Sequence, residues 1–227
     1  MQISSNLLIK KLYMKNINIF DSIIFDMDGT LWDAVATYVA AWNKYYKLSD
    51  IDRVITYEEL APQMGVEEKK LLKLTLPHIP EVERSEEYNN KVVPLIYDTI
   101  IEIGGDIYDG VLEGLKKLSS KYLLFIVSNC PSNTITYFME YAGIKNIITD
   151  TLAHGQNFMS KAENIKLITK KHQLKSVVYV GDTYSDQRQS EKANVPFVFV
   201  DYGFGNSDKF INKFSDFYSL VRWFCEE

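Results

Sequence analysis

Asp26 and Asp28 close an apolar run in the stretch IIFDMDGTLWD (residues 23–33), with Gly29 and Thr30 directly behind them. Carboxylates at the end of such a run are costly to bury unless something pairs with them. Taken alone, Asp-x-Asp-Gly also suits a strand that surfaces into a polar turn. Other apolar runs, however, end in polar residues too: Ser128 and Asn129 follow YLLFIV, and Asp182 and Asp186 fall in GDTYSD after SVVYV. Before that last run, Ser160 to Glu163 reads as a capping box, with Ser160 as N-cap and Lys161 as the first helical residue. A cation there opposes the helix dipole, and a local rule broken in this way points to function.

Gathered on one rim, these groups would suit phosphoryl chemistry. Carboxylate oxygens suit Mg²⁺, which keeps waters and a substrate phosphate in its shell. The amides of a helix start near Asn129 suit a phosphate oxygen. A carboxylate can act as a covalent nucleophile, and Mg²⁺ with Lys161 would offset the repulsion between two anionic reactants.

Positioning them requires a sheet. The runs at 22–28, 122–129, 146–149, 176–182 and 196–203 are apolar nearly throughout, as expected of parallel strands covered on both faces. Amphipathic periods separate them: Val111, Leu115 and Leu118 mark one helix face, and Ile135, Phe138, Met139 and Ala142 another, stopped by Gly143. The pattern predicts an α/β fold, a Rossmann-like doubly wound parallel sheet, whose ligands bind outside the carboxyl ends of the strands. From 33 to 107 no strand is evident, only helical stretches such as AVATYVAAWNKYYK and NKVVPLIYDTIIEI. The expected organisation is therefore an N-terminal extension (1–15), an α/β core (16–32 and 108–227) and an inserted α-helical cap (33–107). The acidic stretch at 81–88 reads as a solvated face or loop, and Gly104-Gly105 as a hinge.

DMDGT, Ser128-Asn129, Lys161 and GDTYSD, in that order and at strand ends, resemble the four motifs of the haloacid dehalogenase superfamily. The likeness is to its phosphatase branch with a helical cap, as in phosphoglycolate phosphatases and β-phosphoglucomutases, and spans the chain from about Asn16 onward. It implies Asp26 as nucleophile and Asp28 as general acid and then base. It implies Ser128, the Asn129 amide, Gly29, Thr30 and Lys161 around the phosphoryl group. It further implies Mg²⁺ held by Asp26, Asp28 (through its carbonyl) and Asp182, with Asp186 in support. Lys161-Ala162 stands where relatives often have Lys-Pro, and Trp32 where many have a smaller aliphatic residue. Dehalogenases lack the second aspartate, so Asp28 argues against carbon–halogen chemistry.

The expected activity is hydrolysis of a small phosphorylated metabolite; a phosphomutase on the same scaffold and a non-catalytic binding module are the rivals. A net charge of −5 and the absence of a Lys/Arg-rich run argue against a nucleic-acid partner. Two cysteines form no CxxC pair, and three scattered histidines make a zinc site improbable. The first 20 residues hold no apolar run longer than Leu7 to Ile9, and nowhere do about 18 apolar residues follow one another, which predicts a cytoplasmic protein without a membrane partner. Monomer and dimer are not distinguished. Of the remaining candidates, Cys130 reads as a packed thiol, and His78, His154 and His172 as surface or loop residues. Trp42, Tyr45 and Tyr46 read as cap core, and DYGFG (201–205) as a glycine-rich turn near the site.

Overall fold

The computed structural model describes residues 20–225, so the expected extension over residues 1–15 lies outside the described residues. In chain order the strands are β1 (Ser22–Phe25), β2 (Trp32–Asp33), β3 (Asp106–Ile107), β4 (Leu123–Ser128), β5 (Asp150–Ala153), β6 (Val177–Gly181), β7 (Phe197–Val200) and β8 (Asn212–Phe214). Six of them form one parallel sheet in the order β5-β4-β1-β6-β7-β8.

Because side chains alternate across a strand, β1 feeds two apolar layers. Ile24 packs with Phe125 and Tyr179 against Ile165 and Ile168, while Ile23 and Phe25 join Leu115, Leu118, Phe217 and Leu220 on the other face. All four β1 residues are buried, which is why the run carries no polar alternation. Helix α6 (Val111–Ser119) packs with α11 (Phe217–Cys225), and α9 (Lys161–Lys171) with α10 (Tyr184–Ala193). Helix α7 (Thr134–Ala142) ends at Gly143, whose φ of 66° supplies the left-handed turn that glycine adopts most freely.

The chain leaves the sheet after β1 and returns after β3. Between them lie α1 (Val35–Leu48), α2 (Tyr57–Leu60), α3 (Glu68–Thr75), α4 (Arg84–Glu87) and α5 (Val93–Ile103), and α1 packs on α5. Trp42, Tyr45 and Tyr46 are buried here as expected. Trp42 stacks on Tyr88 at 5.7 Å, and the Tyr46 hydroxyl donates to the Thr75 carbonyl at 2.7 Å.

Several local expectations need correction. Residues 146 and 147 lie in a turn, the Thr149 amide makes a first bond to the Leu124 carbonyl, and the strand itself begins at Asp150. Ile147 and Ile148 are apolar because they pack on the core from that turn, not because they pair in the sheet. The acidic stretch 81–88 is a largely solvated face, helical over Arg84–Glu87, and departs from the expectation only at the buried Tyr88. β2 and β3, at the two ends of the helical segment, pair antiparallel, Trp32 with Ile107 and Asp33 with Asp106. Gly105 allows a close approach there: a Cβ would sit 2.7 Å from the Trp32 ring.

Candidate active site

Register brings the site together. Ile24 pairs with both Phe125 and Tyr179, so Asp26 and Asp182 directly follow their strands and Ser128 ends its own, on three adjacent strands. The Asp26 amide still donates to the Val180 carbonyl at 2.8 Å, extending the ladder by one residue. The chain then turns sharply. The Thr30 and Leu31 amides both bond to the Met27 carbonyl, and Gly29 sits at φ +82°. A Cβ on Gly29 would overlap the Asp182 carboxylate, so this turn can close against β6 only with glycine.

Lys161 is the first residue of α9, beneath a capping box formed by Ser160 and Glu163, as the sequence pattern requires. Its ammonium is buried between two carboxylates, 3.0 Å from Asp26 Oδ1 and 2.6 Å from Asp186 Oδ1. Burial alone would lower its pKa; Asp186 and Asp26 outweigh that and hold the ammonium above its ordinary value. The broken dipole rule is thus compensated by two nearby anions.

Asp186 is fully engaged. Thr183, the N-cap of α10, gives its amide and hydroxyl to Asp186 Oδ2 at 3.0 and 2.6 Å, and Lys161 and the Tyr179 hydroxyl reach Oδ1. Asp182 is held by the Phe204 amide at 2.7 Å and, more loosely, by the Thr30 hydroxyl at 3.3 Å. DYGFG is therefore part of the site's wall.

Asp26, Asp182 and Asp186 each bring a carboxylate oxygen within 4.8 Å of the others, all buried. Lys161 supplies one positive charge against three negative ones. Burial raises the pKa of Asp26 to about 6 even with Lys161 beside it, and burial with the nearby Asp186 raises that of Asp182. Asp26 Oδ1 has no hydrogen-bond partner, since Lys161 lies off the bonding direction. Three buried carboxylates sharing one ammonium, with Asp26 Oδ1 making no aligned hydrogen bond, fit a hard divalent cation.

Asp28 points elsewhere. The Tyr38 hydroxyl (2.8 Å) and Trp32 Nε1 (3.0 Å) both donate to its Oδ1, leaving Oδ2 to carry a proton. Burial pushes its pKa up to about 7, against the lowering pull of the Tyr38 bond and, less strongly, the Trp32 bond. A carboxyl poised near neutrality suits general acid–base work.

Ser128 is buried at the end of β4, and it lines a cavity of about 60 Å³ with Asn129, Asp26 and Asp28. The helix after β4 starts only at Thr134, so the amides near Asn129 belong to a loop and not to the helix start that the sequence suggested. The Asn129 side chain instead donates to the Gly65 carbonyl at 3.0 Å, which also accepts from Ser185 at 3.1 Å. One carbonyl of the helical segment is thereby tied to the loop after β4 and to the first turn of α10. Cys130 is buried and its thiol pKa is pushed up by burial, as a packed thiol requires. His78 is exposed, and His172 pairs with Asp150 at 2.7 Å, away from the site.

Sequence reasoning missed Tyr38, Tyr179 and Gly65. Tyr179 had a signal, a hydroxyl inside an otherwise apolar strand. Tyr38 and Gly65 had none, because their role depends on where the helical segment folds back.

A row of aspartates and one lysine thus stands at the carboxyl ends of a doubly wound parallel sheet. Residues 23–200 match the haloacid dehalogenase-like hydrolase family, and the chain belongs to that family. It is 25% identical over 230 residues to a phosphoglycolate phosphatase of Photobacterium profundum, an alignment that covers 93% of this chain and all of that one. Among solved structures it resembles a predicted phosphoglycolate phosphatase from Haemophilus somnus 129pt (TM-score 0.77, 21% identity, 89% of this chain and 97% of that one). It also resembles a predicted phosphatase from Clostridium acetobutylicum (TM-score 0.75, 19% identity, 92% and 99%).

Proposed function

We propose that the protein is a Mg²⁺-dependent phosphatase that hydrolyses a small phosphomonoester through an aspartyl-phosphate on Asp26, with residues 33–107 acting as its cap. The observation that carries this reading is the orphaned Oδ1 of Asp26, buried beside Lys161 and facing the same small cavity as Asp28. The Asp26 carboxylate attacks phosphorus, the bond to the leaving oxygen breaks, and Asp28 gives that oxygen its proton. Asp28 then takes a proton from water as the water attacks the phosphoryl group, releasing phosphate and restoring Asp26. Tyr38 and Trp32 fix Asp28 for both transfers, and Lys161 holds Asp26 in place. Asp186 acts through Lys161, while Ser128, the amides near Asn129, Gly29 and Thr30 surround the phosphoryl group. Asp26, Asp182 and the Asp28 carbonyl would hold Mg²⁺, which when bound offsets the charge on the phosphoryl oxygens. The phosphatase relative supports this substrate class. Among the described residues no helix is long and apolar enough to cross a membrane.

The test is phosphate release from a panel of phosphomonoesters, phosphoglycolate included, by the native chain and by Asp26→Asn. Native turnover with Mg²⁺, abolished by EDTA and by Asp26→Asn with an unchanged circular dichroism spectrum, is expected. Turnover by Asp26→Asn within tenfold of native would remove Asp26 as nucleophile.

A further inference from the structure

The cavity beside Asp26 and Asp28 has a composition that bears on the organic part of the substrate. Its far wall, supplied by the helical segment, is chiefly Trp42, Leu60, Met64, Leu71, Tyr88 and Ile96, with Gln63 its one side-chain amide. Among the described residues, the only charged groups lining it are Asp26 and Asp28 themselves. No cation of the helical segment reaches it. Every lysine between residues 34 and 105 is exposed, as is His78. Arg53 gives its guanidinium to the Leu74 carbonyl at 2.6 Å, and Arg84 bonds the Leu76 and Ile79 carbonyls, both at 2.9 Å. Lys161 is committed to Asp26 and Asp186.

We infer that the substrate's organic group is short, uncharged and largely apolar, and that the cap selects against esters bearing a carboxylate. This rests on the phosphatase reading above and narrows it. A second anion on the substrate would be buried with no cation to pair with, only the neutral Gln63 amide in an otherwise apolar wall; burying an unpaired charge is among the costliest changes a site can make. An alkyl group instead meets aromatic and aliphatic surface that gains from covering it. The volume, about 60 Å³, is under half of the roughly 150 Å³ that admits benzene in an apolar cavity, and the phosphoryl group beside Asp26 and Ser128 takes part of it, which favours short chains over rings. Tyr38, already bonded to Asp28, helps shut the wall nearest the reacting bond.

The test compares two shape-matched pairs on the full chain with Mg²⁺. Isobutyl phosphate and phosphoglycolate differ chiefly in two methyls against a carboxylate, as do 3-methylbutylphosphonate and 3-phosphonopropionate, which cannot be hydrolysed. Calorimetric binding of the two phosphonates decides the charge preference whether or not turnover follows. At least tenfold tighter binding of 3-methylbutylphosphonate is expected, with kcat/KM for isobutyl phosphate exceeding that for phosphoglycolate by a similar factor. Equal or tighter binding of 3-phosphonopropionate, or binding of neither, overturns the inference. Turnover that favours phosphoglycolate overturns it too, while leaving the phosphatase reading intact. Absence of phosphate release from every ester would instead sink that reading and leave the binding ratio to judge the pocket.

Discussion

Replacing Lys161 with methionine keeps the length and much of the volume of the side chain but removes the one positive charge facing three buried carboxylates. The ammonium lies 3.0 Å from Asp26 and 2.6 Å from Asp186, with all three side chains at most 2% exposed. Breaking a buried pair by deleting one partner costs about 3–5 kcal/mol, because the remaining charge is left uncompensated. Protonation caps the loss. Asp26 already titrates near 6 instead of 3.8, and without Lys161 its pKa rises further. A carboxyl with a raised folded pKa binds more protons folded than unfolded, so its charge destabilises the fold as pH rises and stability returns as pH falls. The expected cost of Lys161→Met is therefore about 3–5 kcal/mol at pH 8 and at least ~1 kcal/mol less at pH 5.5. Urea unfolding in EDTA at both pH values measures it. Asp186→Asn in the same background keeps an oxygen acceptor for Thr183 while removing one anion, so the double variant is expected to be more stable than Lys161→Met alone. A loss below ~1 kcal/mol at pH 8, or a double variant no more stable than the single, would refute the account of Lys161 as the charge that holds this cluster together.

Two further outcomes follow from the walls of the site. Tyr38→Phe removes one of two donors to Asp28 Oδ1; a hydrogen bond to a charged group is worth ~1.5–3 kcal/mol, so kcat on an alkyl phosphate should fall about tenfold or more while an aryl phosphate, whose leaving group needs less protonation, loses less in the same steady-state assay. Gly203→Ala would set a Cβ against the Gly29 carbonyl and the Asp182 carboxylate, and should raise the Mg²⁺ concentration needed for activity; Gly143→Ala, with φ +66° but nothing within 4 Å, should cost about 1 kcal/mol of stability and leave the metal titration unchanged.

The sheet and the identity of the groups at its rim were legible from residue order. Strands buried on both faces are apolar nearly throughout, so β1, β4, β6 and β7 stand out, and the carboxylates that interrupt such runs lie at their ends. The Ser160 capping box placed Lys161 to the residue because capping is local, set within one helical turn. Where apolar residues do not pair, as at Ile147 and Ile148, the same signal misled, since burial beside a sheet and burial in it leave the same composition. β8 carried no signal: its pattern Asn212-Lys213-Phe214 is that of a half-covered edge.

What each carboxylate faces was settled by the folded arrangement. Parallel register set Asp26, Ser128 and Asp182 side by side across residues 26 to 182, and no local pattern encodes a pairing over that distance. Asp28 and Asp26 are two residues apart in sequence, yet one points to Tyr38 and Trp32 and the other to Lys161, because Asp26 still belongs to the sheet ladder and Asp28 to the turn that closes on the Met27 carbonyl. The charge balance of the cavity was equally hidden. Lys44, Arg53 and Arg84 look interchangeable in sequence, and whether a cation meets a ligand, solvent or a carbonyl depends on how α1 to α5 fold over the sheet. Composition fixes which charges a chain owns; burial and distance, which exist only once it is folded, fix which of them a substrate can feel.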